Sequence, residues 1–178
     1  MEPMKKLIVF VCNGNIHRSV IAAAFFTNIL EELGLDTQYQ VESYGLQGTL
    51  GTPPPLHKKL KEYPKEWSAA APILHEFDIN IDHHSYQKIT PAVAQKAAVI
   101  IAMDTKTYSA APNALLKQFP NAAQKIHSFS ELTPGHKDIT DPLTSGSQQL
   151  HRNIIGAICS TLLKNTDGVL RMCNAHAK

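Results

Sequence analysis

Apolar residues occur along this chain in two spacings, short continuous runs and longer stretches with a helical period. Residues 7–11 form an unbroken apolar run, which is typical of a strand buried on both faces of a parallel sheet. In residues 20–33 an apolar side chain recurs at every fourth position, and Gly34 follows as a helix stop signal. Residues 98–103 are again continuously apolar. The pattern predicts two buried strands, with a helix directly after the first.

Weaker patterns predict the remaining elements, which are strands at 38–43 and 124–129 and helices at 91–96, 105–119 and 150–162. We predict that residues 105–119 are mostly helical although they contain Pro112. Strands that alternate with helices imply right-handed βαβ crossovers and a parallel sheet. We therefore predict an α/β fold of three layers, in which helices flank a four-stranded parallel sheet. Such sheets bind ligands at the carboxyl ends of their strands, where Cys12, Ser43 and Asp104 all fall.

Residues 45–71 break this alternation. Three glycines at three-residue spacing begin the segment, three prolines follow at 53–55, and a basic and aromatic stretch completes it. The glycine spacing lacks the context of a dinucleotide-binding motif, because it opens no helix. We predict a loop inserted into a single domain of residues 1–164, either a solvated excursion or a lid near a functional site. Residues 165–178 are predicted to form a disordered C-terminal tail.

Composition and charge narrow the functional classes. A formal net charge of +2 is too small for nucleic-acid binding that rests on phosphate neutralisation. The three cysteines, at positions 12, 159 and 173, form no disulfide framework, which favours a reducing compartment. The apolar run near the start is too short for a signal peptide, and no run approaches the ~18 residues of a membrane span. We therefore expect a cytoplasmic protein with neither a nucleic-acid partner nor a membrane span.

The candidate chemistry lies in residues 12–19, Cys-Asn-Gly-Asn-Ile-His-Arg-Ser, between the first strand and the helix after it. A tight Gly/Asn loop that opens a helix directs several backbone N–H groups at one spot, which makes an anion site. Cys12 begins this loop and Arg18 closes it. The same positive field favours the thiolate form of Cys12, so that one loop supplies an anion cradle and a nucleophile. A buried structural thiol is the alternative, but a cation such as Arg18 at a helix N-terminus is unfavourable unless an anion binds there.

This segment closely resembles the signature of the low-molecular-weight protein tyrosine phosphatases, whose members typically read Cys-x-Gly-Asn-x-Cys-Arg-Ser. The similarity continues through short segments at 41–45, 78–84, 88–90 and 101–104, and it ends in the late pair Asp141-Pro142. It spans about residues 5–164, with an interruption at 45–71. A Cys-x5-Arg spacing alone is a modest signal, but together with the flanking strand and helix and the Asp-Pro pair it becomes specific.

The resemblance implies a cysteine-dependent enzyme that hydrolyses phosphate monoesters, above all phosphotyrosine in proteins, through a phosphocysteine intermediate. By this resemblance Cys12 is the nucleophile, Arg18 clamps the phosphoryl oxygens and Asp141 is the general acid. The phosphate would be bound by the loop residues Asn13, Gly14, Asn15, Ile16, His17, Arg18 and Ser19.

Two further serines have supporting roles by the same resemblance. Ser19 would donate a hydrogen bond to the Cys12 thiolate, and Ser43 would hold Asn15 and thereby the shape of the loop. No metal and no organic cofactor is implied, because nucleophile, clamp and acid are all side chains. The partners we expect are a phosphorylated protein or small aryl phosphate as substrate, and inorganic phosphate or a similar oxyanion in the Cys12 loop.

The chain departs from the family pattern at two places. His17 replaces the second cysteine, so no vicinal disulfide can protect an oxidised Cys12, and His17 either adds a cation beside the cradle or fills space. After Asp141-Pro142 the chain continues Leu-Thr-Ser-Gly, where tyrosine-directed members usually carry aromatics, which weakens stacking on a phosphotyrosine ring. Ile16, in contrast, resembles the tyrosine-directed branch, since phosphoarginine-directed relatives tend to have Thr at that position.

Three other functions remain open on the same scaffold. Arsenate reduction is the least favoured, because its relay needs mid-chain cysteines and none lies between 12 and 159. A phosphocysteine carrier would not need Arg18 or Asp141, so their presence favours hydrolysis. A catalytically weak or silent module that binds phosphate or phosphopeptides would differ from an enzyme in failing to release phosphate from an aryl phosphate.

Overall fold

The computed structural model describes residues 3–176, and its centre is a four-stranded sheet. The strands are β1 (Lys6–Cys12), β2 (Tyr39–Gly45), β3 (Val99–Ala102) and β4 (Ile126–Ser128). They lie in the order β2-β1-β3-β4, and each neighbouring pair is parallel. The prediction of an α/β fold with a four-stranded parallel sheet is therefore confirmed.

Within residues 3–176, six α-helices flank the sheet: α1 (Arg18–Glu32), α2 (Pro64–Glu76), α3 (Pro91–Lys96), α4 (Leu115–Gln118), α5 (Gln148–Lys164) and α6 (Thr166–Asn174). Successive side chains of a strand point to opposite faces, which explains why β1 is apolar throughout. Ile8 and Phe10 face a core formed with α1, α2, α5 and α6, while Val9 faces a smaller core formed with α3 and α4. The sheet is thus the middle of three layers.

The region of 105–119 differs from the single helix that we predicted. It consists of a π-helical turn, Lys106–Ala110, and of α4, with an irregular connection between them. Ala111 has an extended backbone with ψ of 153°. The reason is Pro112, because the ring of a proline disfavours the helical conformation of the residue before it.

The segment of 45–71 is only partly the loop that we predicted. Residues 46–59 lack helix and strand, but a 3-10 turn (Leu60–Glu62) and α2 follow. Helix α2 begins with Pro64, which suits the first helical position, and it buries Ala70, Ile73 and Leu74 in the larger core. The charged residues between 58 and 66 favoured a loop, although only Lys65 and Glu66 of them lie within α2.

The predicted disordered tail is also different in the structure. Helix α6 covers Thr166–Asn174 and buries Val169 and Cys173, which lie one turn apart on one face. The outer ends of the predicted domain and tail, residues 1–2 and 177–178, lie outside the described residues. Within residues 3–176, no helix combines the length and the apolar character needed to cross a membrane.

The parallel sheet brings the carboxyl ends of β1, β2 and β3 to the same end of the sheet. Strand β1 ends at Cys12, β2 ends at Gly45 in register with it, and Asp104 follows β3 by two residues. This end is the expected place of a ligand site in an open parallel sheet.

Candidate active site

The Cys12 loop, residues 12–18, connects β1 to α1 and wraps around the sulfur of its first residue. The backbone N–H of Asn15 donates to Cys12 Sγ at 3.3 Å. Ser19 Oγ, in the first turn of α1, lies 3.0 Å from the same sulfur. Two hydrogen-bond donors therefore converge on a thiol that is only 3% exposed.

Asn15 organises the loop through its side chain and its carbonyl oxygen. Its φ of 53° lies in the left-handed region, which asparagine tolerates better than most residues do. Its Oδ1 accepts from the backbone N–H of Gln87 at 2.9 Å, and this fixes the orientation of the amide. Its Nδ2 donates to Ser19 Oγ at 3.2 Å and to Ser43 Oγ at 3.0 Å. His84 Nε2 donates to the carbonyl oxygen of Asn15 at 3.0 Å.

The direction of the Ser19–Cys12 hydrogen bond is fixed when Cys12 is a thiolate. Ser19 Oγ accepts from Asn15 and keeps its own hydrogen free, and a thiolate can only accept. Ser19 then donates to Cys12 Sγ, an arrangement that stabilises the negative charge on sulfur. Burial lowers the pKa of His84, so that this imidazole is uncharged beside the loop at neutral pH.

Gly45 is required where the end of β2 meets the Cys12 loop. A Cβ atom at this position would lie 2.9 Å from Asn15 Cβ and 3.1 Å from the carbonyl oxygen of Asn13. Gly14, inside the loop itself, is less constrained, because a Cβ there would meet the flexible end of Gln47 at 3.1 Å and Ile16 Cγ1 at an ordinary contact distance of 3.6 Å. The sequence pattern did not distinguish these two glycines.

Arg18 is buried, with 2% of its side chain exposed, and its guanidinium is held from two sides. Nη1 donates to Asp104 Oδ2 and, at 2.9 Å, to the carbonyl oxygen of Ile139. Nη2 lies 3.3 Å from Asp141 Oδ2. Burial by itself would lower the pKa of Arg18, but the attraction of Cys12, Asp141 and Asp104 outweighs burial and raises it.

Asp104 is the partner that orients Arg18. Its Oδ1 accepts from the backbone N–H of Thr107 at 2.7 Å, while its other oxygen binds the guanidinium. Burial would raise the pKa of Asp104, but the charge of Arg18 and the hydrogen bonds from Arg18 and Thr107 hold it below the ordinary value. The carboxylate thus stays ionised, and both of its oxygens are engaged.

Asp141 lies at the mouth of the site on an irregular segment, the Asp141 loop, which we define as residues 141–145. Its Oδ1 accepts from the backbone N–H of Leu143 at 3.0 Å, and 46% of its side chain is exposed. Between this carboxylate and the Cys12 loop is a cavity of about 40 Å³. Its lining comprises Cys12, Asn13, Gly14, Ile16, His17, Arg18, Gln47, Asp141 and Leu143.

His17 is buried and uncharged, which favours the second of the two roles considered for it, that of filling space. Only 2% of the residue is exposed, and its Nε2 lies 3.0 Å from Nδ1 of His151 on α5. Burial lowers the pKa of His17 well below its ordinary value, and the neighbouring His151 and Arg18 lower it further. His17 therefore adds no cation to the cradle near neutral pH.

Larger grooves, of about 250, 300 and 440 Å³, lie elsewhere on the surface. Among the described residues, none of the three is lined by a cysteine or an arginine, so the site is identified by its chemical groups and not by its size. Within residues 3–176, no three side chains of His, Cys, Asp or Glu lie close enough to hold a metal ion.

Several contacts of the site were not predicted from the sequence. Asp104 follows a buried strand at the carboxyl edge of the sheet, so its position was a usable signal for a role beside Arg18. Ile139, which contributes only its carbonyl oxygen, carries no signal in its side chain. Glu66 contacts the Asp141 loop from α2, which is distant in the sequence, and His151 contacts it from α5, the helix that follows the loop.

Comparisons with known proteins agree with this arrangement. A family model described as low molecular weight phosphotyrosine protein phosphatase matches residues 7–170. A low molecular weight protein tyrosine phosphatase from T. tengcongensis is similar, with a TM-score of 0.72 and 21% identity, over 92% of this chain and 99% of that one. Wzb from Vibrio vulnificus, in complex with benzylphosphonate, has a TM-score of 0.69 and 21% identity, over 93% and 99%.

A third similar structure is the YwlE arginine phosphatase from Geobacillus stearothermophilus, with a TM-score of 0.69 and 21% identity, over 97% of this chain and 98% of that one. A search of curated proteins found no match. At these identities the solved structures establish the shared fold, and their different substrates leave the substrate of this chain open.

Proposed function

Because this chain belongs to the low molecular weight phosphotyrosine protein phosphatase family, whose enzymes hydrolyse phosphate monoesters, we propose that it dephosphorylates phosphotyrosine through a phosphocysteine intermediate. One observation carries the proposal. Cys12 and Arg18, at the two ends of the Cys12 loop, line the same small cavity as Asp141, which comes from a loop far along the chain. Nucleophile, charge clamp and proton donor are the three groups that this reaction needs.

In the first step the Cys12 thiolate attacks phosphorus and forms an S–P bond, while the bond from phosphorus to the leaving oxygen breaks. Arg18 binds two phosphoryl oxygens with its fork. Since both hydrogens of Nη1 are engaged by Asp104 and Ile139, the edge formed by Nε and Nη2 is the one available for the phosphoryl group. Backbone N–H groups of residues 13–18 complete the cradle.

Asp141 acts as the acid in the first step and as the base in the second. It gives its proton to the leaving oxygen, and its carboxylate then takes a proton from the water that attacks phosphorus. The S–P bond breaks, and the thiolate returns with a hydrogen bond from Ser19. Inorganic phosphate is the final occupant of the Cys12 loop.

The walls of the cavity bear on the choice of substrate. Ile16 resembles the tyrosine-directed branch, and the T. tengcongensis relative is a tyrosine phosphatase. Gln47 and Leu143 flank the cavity where an aromatic side chain would stack on the substrate ring. We therefore expect turnover of a phosphotyrosine protein or a small aryl phosphate, with a weaker contribution from ring stacking.

The free thiols of Cys12, Cys159 and Cys173 support a reducing compartment such as the cytoplasm as the location of the protein.

Hydrolysis of p-nitrophenyl phosphate without added metal tests the proposal. Cys12→Ser should abolish turnover, and Asp141→Ala should lower kcat on the order of 100-fold. Cys159→Ser, the same change at a buried cysteine outside the site, is the matched control and should retain activity. A wild-type protein that binds phosphate but releases none would contradict the enzyme and favour a carrier or a silent binding module.

A further inference from the structure

Two buried histidines connect the Asp141 loop to the Cys12 loop. His151, on α5, is fully buried, and its Nε2 lies 2.8 Å from the carbonyl oxygen of Ser145. Its Nδ1 lies 3.0 Å from Nε2 of His17. The two rings are tilted by 54°, with centroids 5.0 Å apart. This chain of contacts joins the two loops; His17 also lines the cavity, whereas His151 does not.

The positions of the protons follow from the partners. A carbonyl oxygen can only accept, so His151 Nε2 carries a hydrogen and donates it to Ser145. In an uncharged His151 the Nδ1 atom must then accept, and His17 Nε2 must donate to it. His17 Nδ1 is left as a bare lone pair, and in the described part of the chain it has no hydrogen-bond partner. Only this order of protons satisfies both hydrogen bonds while the pair is uncharged.

The Asp141 loop depends on contacts of this kind. Thr144 has a φ of 82°, a left-handed conformation that is unfavourable for a β-branched residue. Strained backbone of this sort persists only where the surroundings hold it. Glu66 on α2 accepts from the backbone N–H of Thr144 at 2.7 Å, and His151 donates to the carbonyl oxygen of Ser145. The loop that carries Asp141 is thus anchored at its far end by two helices.

We propose that His151 is a positioning residue for the hydrolysis, which sets the Asp141 carboxylate over the Cys12 loop by binding Ser145 and His17 at the same time. This inference rests on the proposed function, because it assigns a role in the step that Asp141 catalyses. Packing alone would be served by an apolar side chain at 151, since hydrogen bonds of a buried imidazole add little net stability. An apolar side chain would, however, leave the Ser145 carbonyl and His17 without a common partner.

The leaving group of the substrate distinguishes positioning from a general structural role. Phenyl phosphate has a poor leaving group and depends on protonation by Asp141, whereas p-nitrophenyl phosphate releases a more acidic phenol and depends on it less. His151→Phe keeps an aromatic ring but removes both hydrogen bonds. We expect kcat/KM for phenyl phosphate to fall on the order of 30-fold, because a small misplacement of a catalytic group costs up to about 100-fold. For p-nitrophenyl phosphate we expect a fall of less than about 3-fold.

A double-mutant cycle with Asp141→Asn tests whether the effect passes through Asp141. In that background His151→Phe should add no further selectivity between the two substrates, because interacting residues give non-additive effects. Cys159→Ala, at another buried position of α5, is the control for a general loosening of the helix. It should change both substrates equally.

Two polar variants extend the test if His151→Phe does not fold. His151→Gln places a donor where Nε2 contacts Ser145, and His151→Asn retains only an acceptor near Nδ1, so that Gln should preserve more activity on phenyl phosphate. Equal losses on both substrates, a loss that persists in Asp141→Asn, or no difference between Gln and Asn would overturn the role of His151. A wild type inactive on both substrates would overturn the proposed function and this inference together.

Discussion

The contact of Asp104 with Arg18 allows a sharp prediction, for the substitution Asp104→Asn. Both oxygens of this carboxylate accept hydrogen bonds, one from Arg18 Nη1 and the other from the backbone N–H of Thr107. Asparagine has the same shape but only one acceptor oxygen. In either orientation of the amide, its NH₂ group must therefore face a donor.

The magnitude follows from the burial of the guanidinium. Removal of one partner from a buried ion pair costs about 3–5 kcal/mol, since the remaining charge is left without compensation. Arg18 is 2% exposed and Asp104 is 16% exposed, while the remaining partner, Asp141, is 46% exposed. Because Asp141 retains part of the compensation, we expect Asp104→Asn to lower the free energy of unfolding by about 2–3 kcal/mol. We also expect kcat/KM to fall about 10- to 100-fold, because Arg18 loses its orientation.

Urea unfolding and the hydrolysis of p-nitrophenyl phosphate measure the two effects. Asp138→Asn is a matched control, because Asp138 accepts from the backbone N–H of Thr105 at 2.9 Å and from its hydroxyl at 3.1 Å, rather than from Arg18. The control should cost less than about 1 kcal/mol and leave kcat/KM nearly unchanged. If the two variants unfold at the same urea concentration and retain equal kcat/KM, Asp104 does not orient Arg18 and the reasoning fails.

Three further predictions concern the Cys12 loop. Gly45→Ala should displace Asn15 and lower the free energy of unfolding by about 1–3 kcal/mol. Phosphate should then no longer raise the melting temperature of the variant. In the control Gly156→Ala, whose added Cβ has no atom within 4 Å, phosphate should still raise it. Folding lowers the pKa of His17, so on acidification the unfolded chain binds a proton at this imidazole before the folded chain does. The free energy of unfolding should therefore fall by up to about 1.4 kcal/mol for each pH unit below pH 6.5. His17→Gln should flatten that dependence in urea titrations, and an unchanged slope would contradict it. Peroxide should inactivate the enzyme permanently at Cys12, because His17 offers no second thiol; full recovery after dithiothreitol would refute this.

The central part of the fold was predictable because its signals are local. An unbroken apolar run can be buried on both faces only in a sheet covered on both sides, so residues 7–11 indicated β1 and the layers around it. Thr90 and Pro91 likewise marked the start of α3, where the Thr90 hydroxyl accepts from the N–H of Val93. Helices α2 and α6 were missed because their apolar faces are short and lie among charged or small residues, so only their contact with the core stabilises them.

The sequence by itself determined the sheet, the Cys12 loop and the order of Cys12, Arg18 and Asp141 along the chain, since each depends on neighbouring residues. The tertiary structure alone decided which edge of Arg18 is free, why Gly45 is required, and that Glu66 and His151 hold the Asp141 loop. Except for the hydrogen bond between His151 and Ser145, which are close in the sequence, these features are contacts between residues about 30 to 120 positions apart, formed by the packing of separate helices and strands. No local pattern specifies such contacts, because burial, distance and proton order are properties of the assembled site.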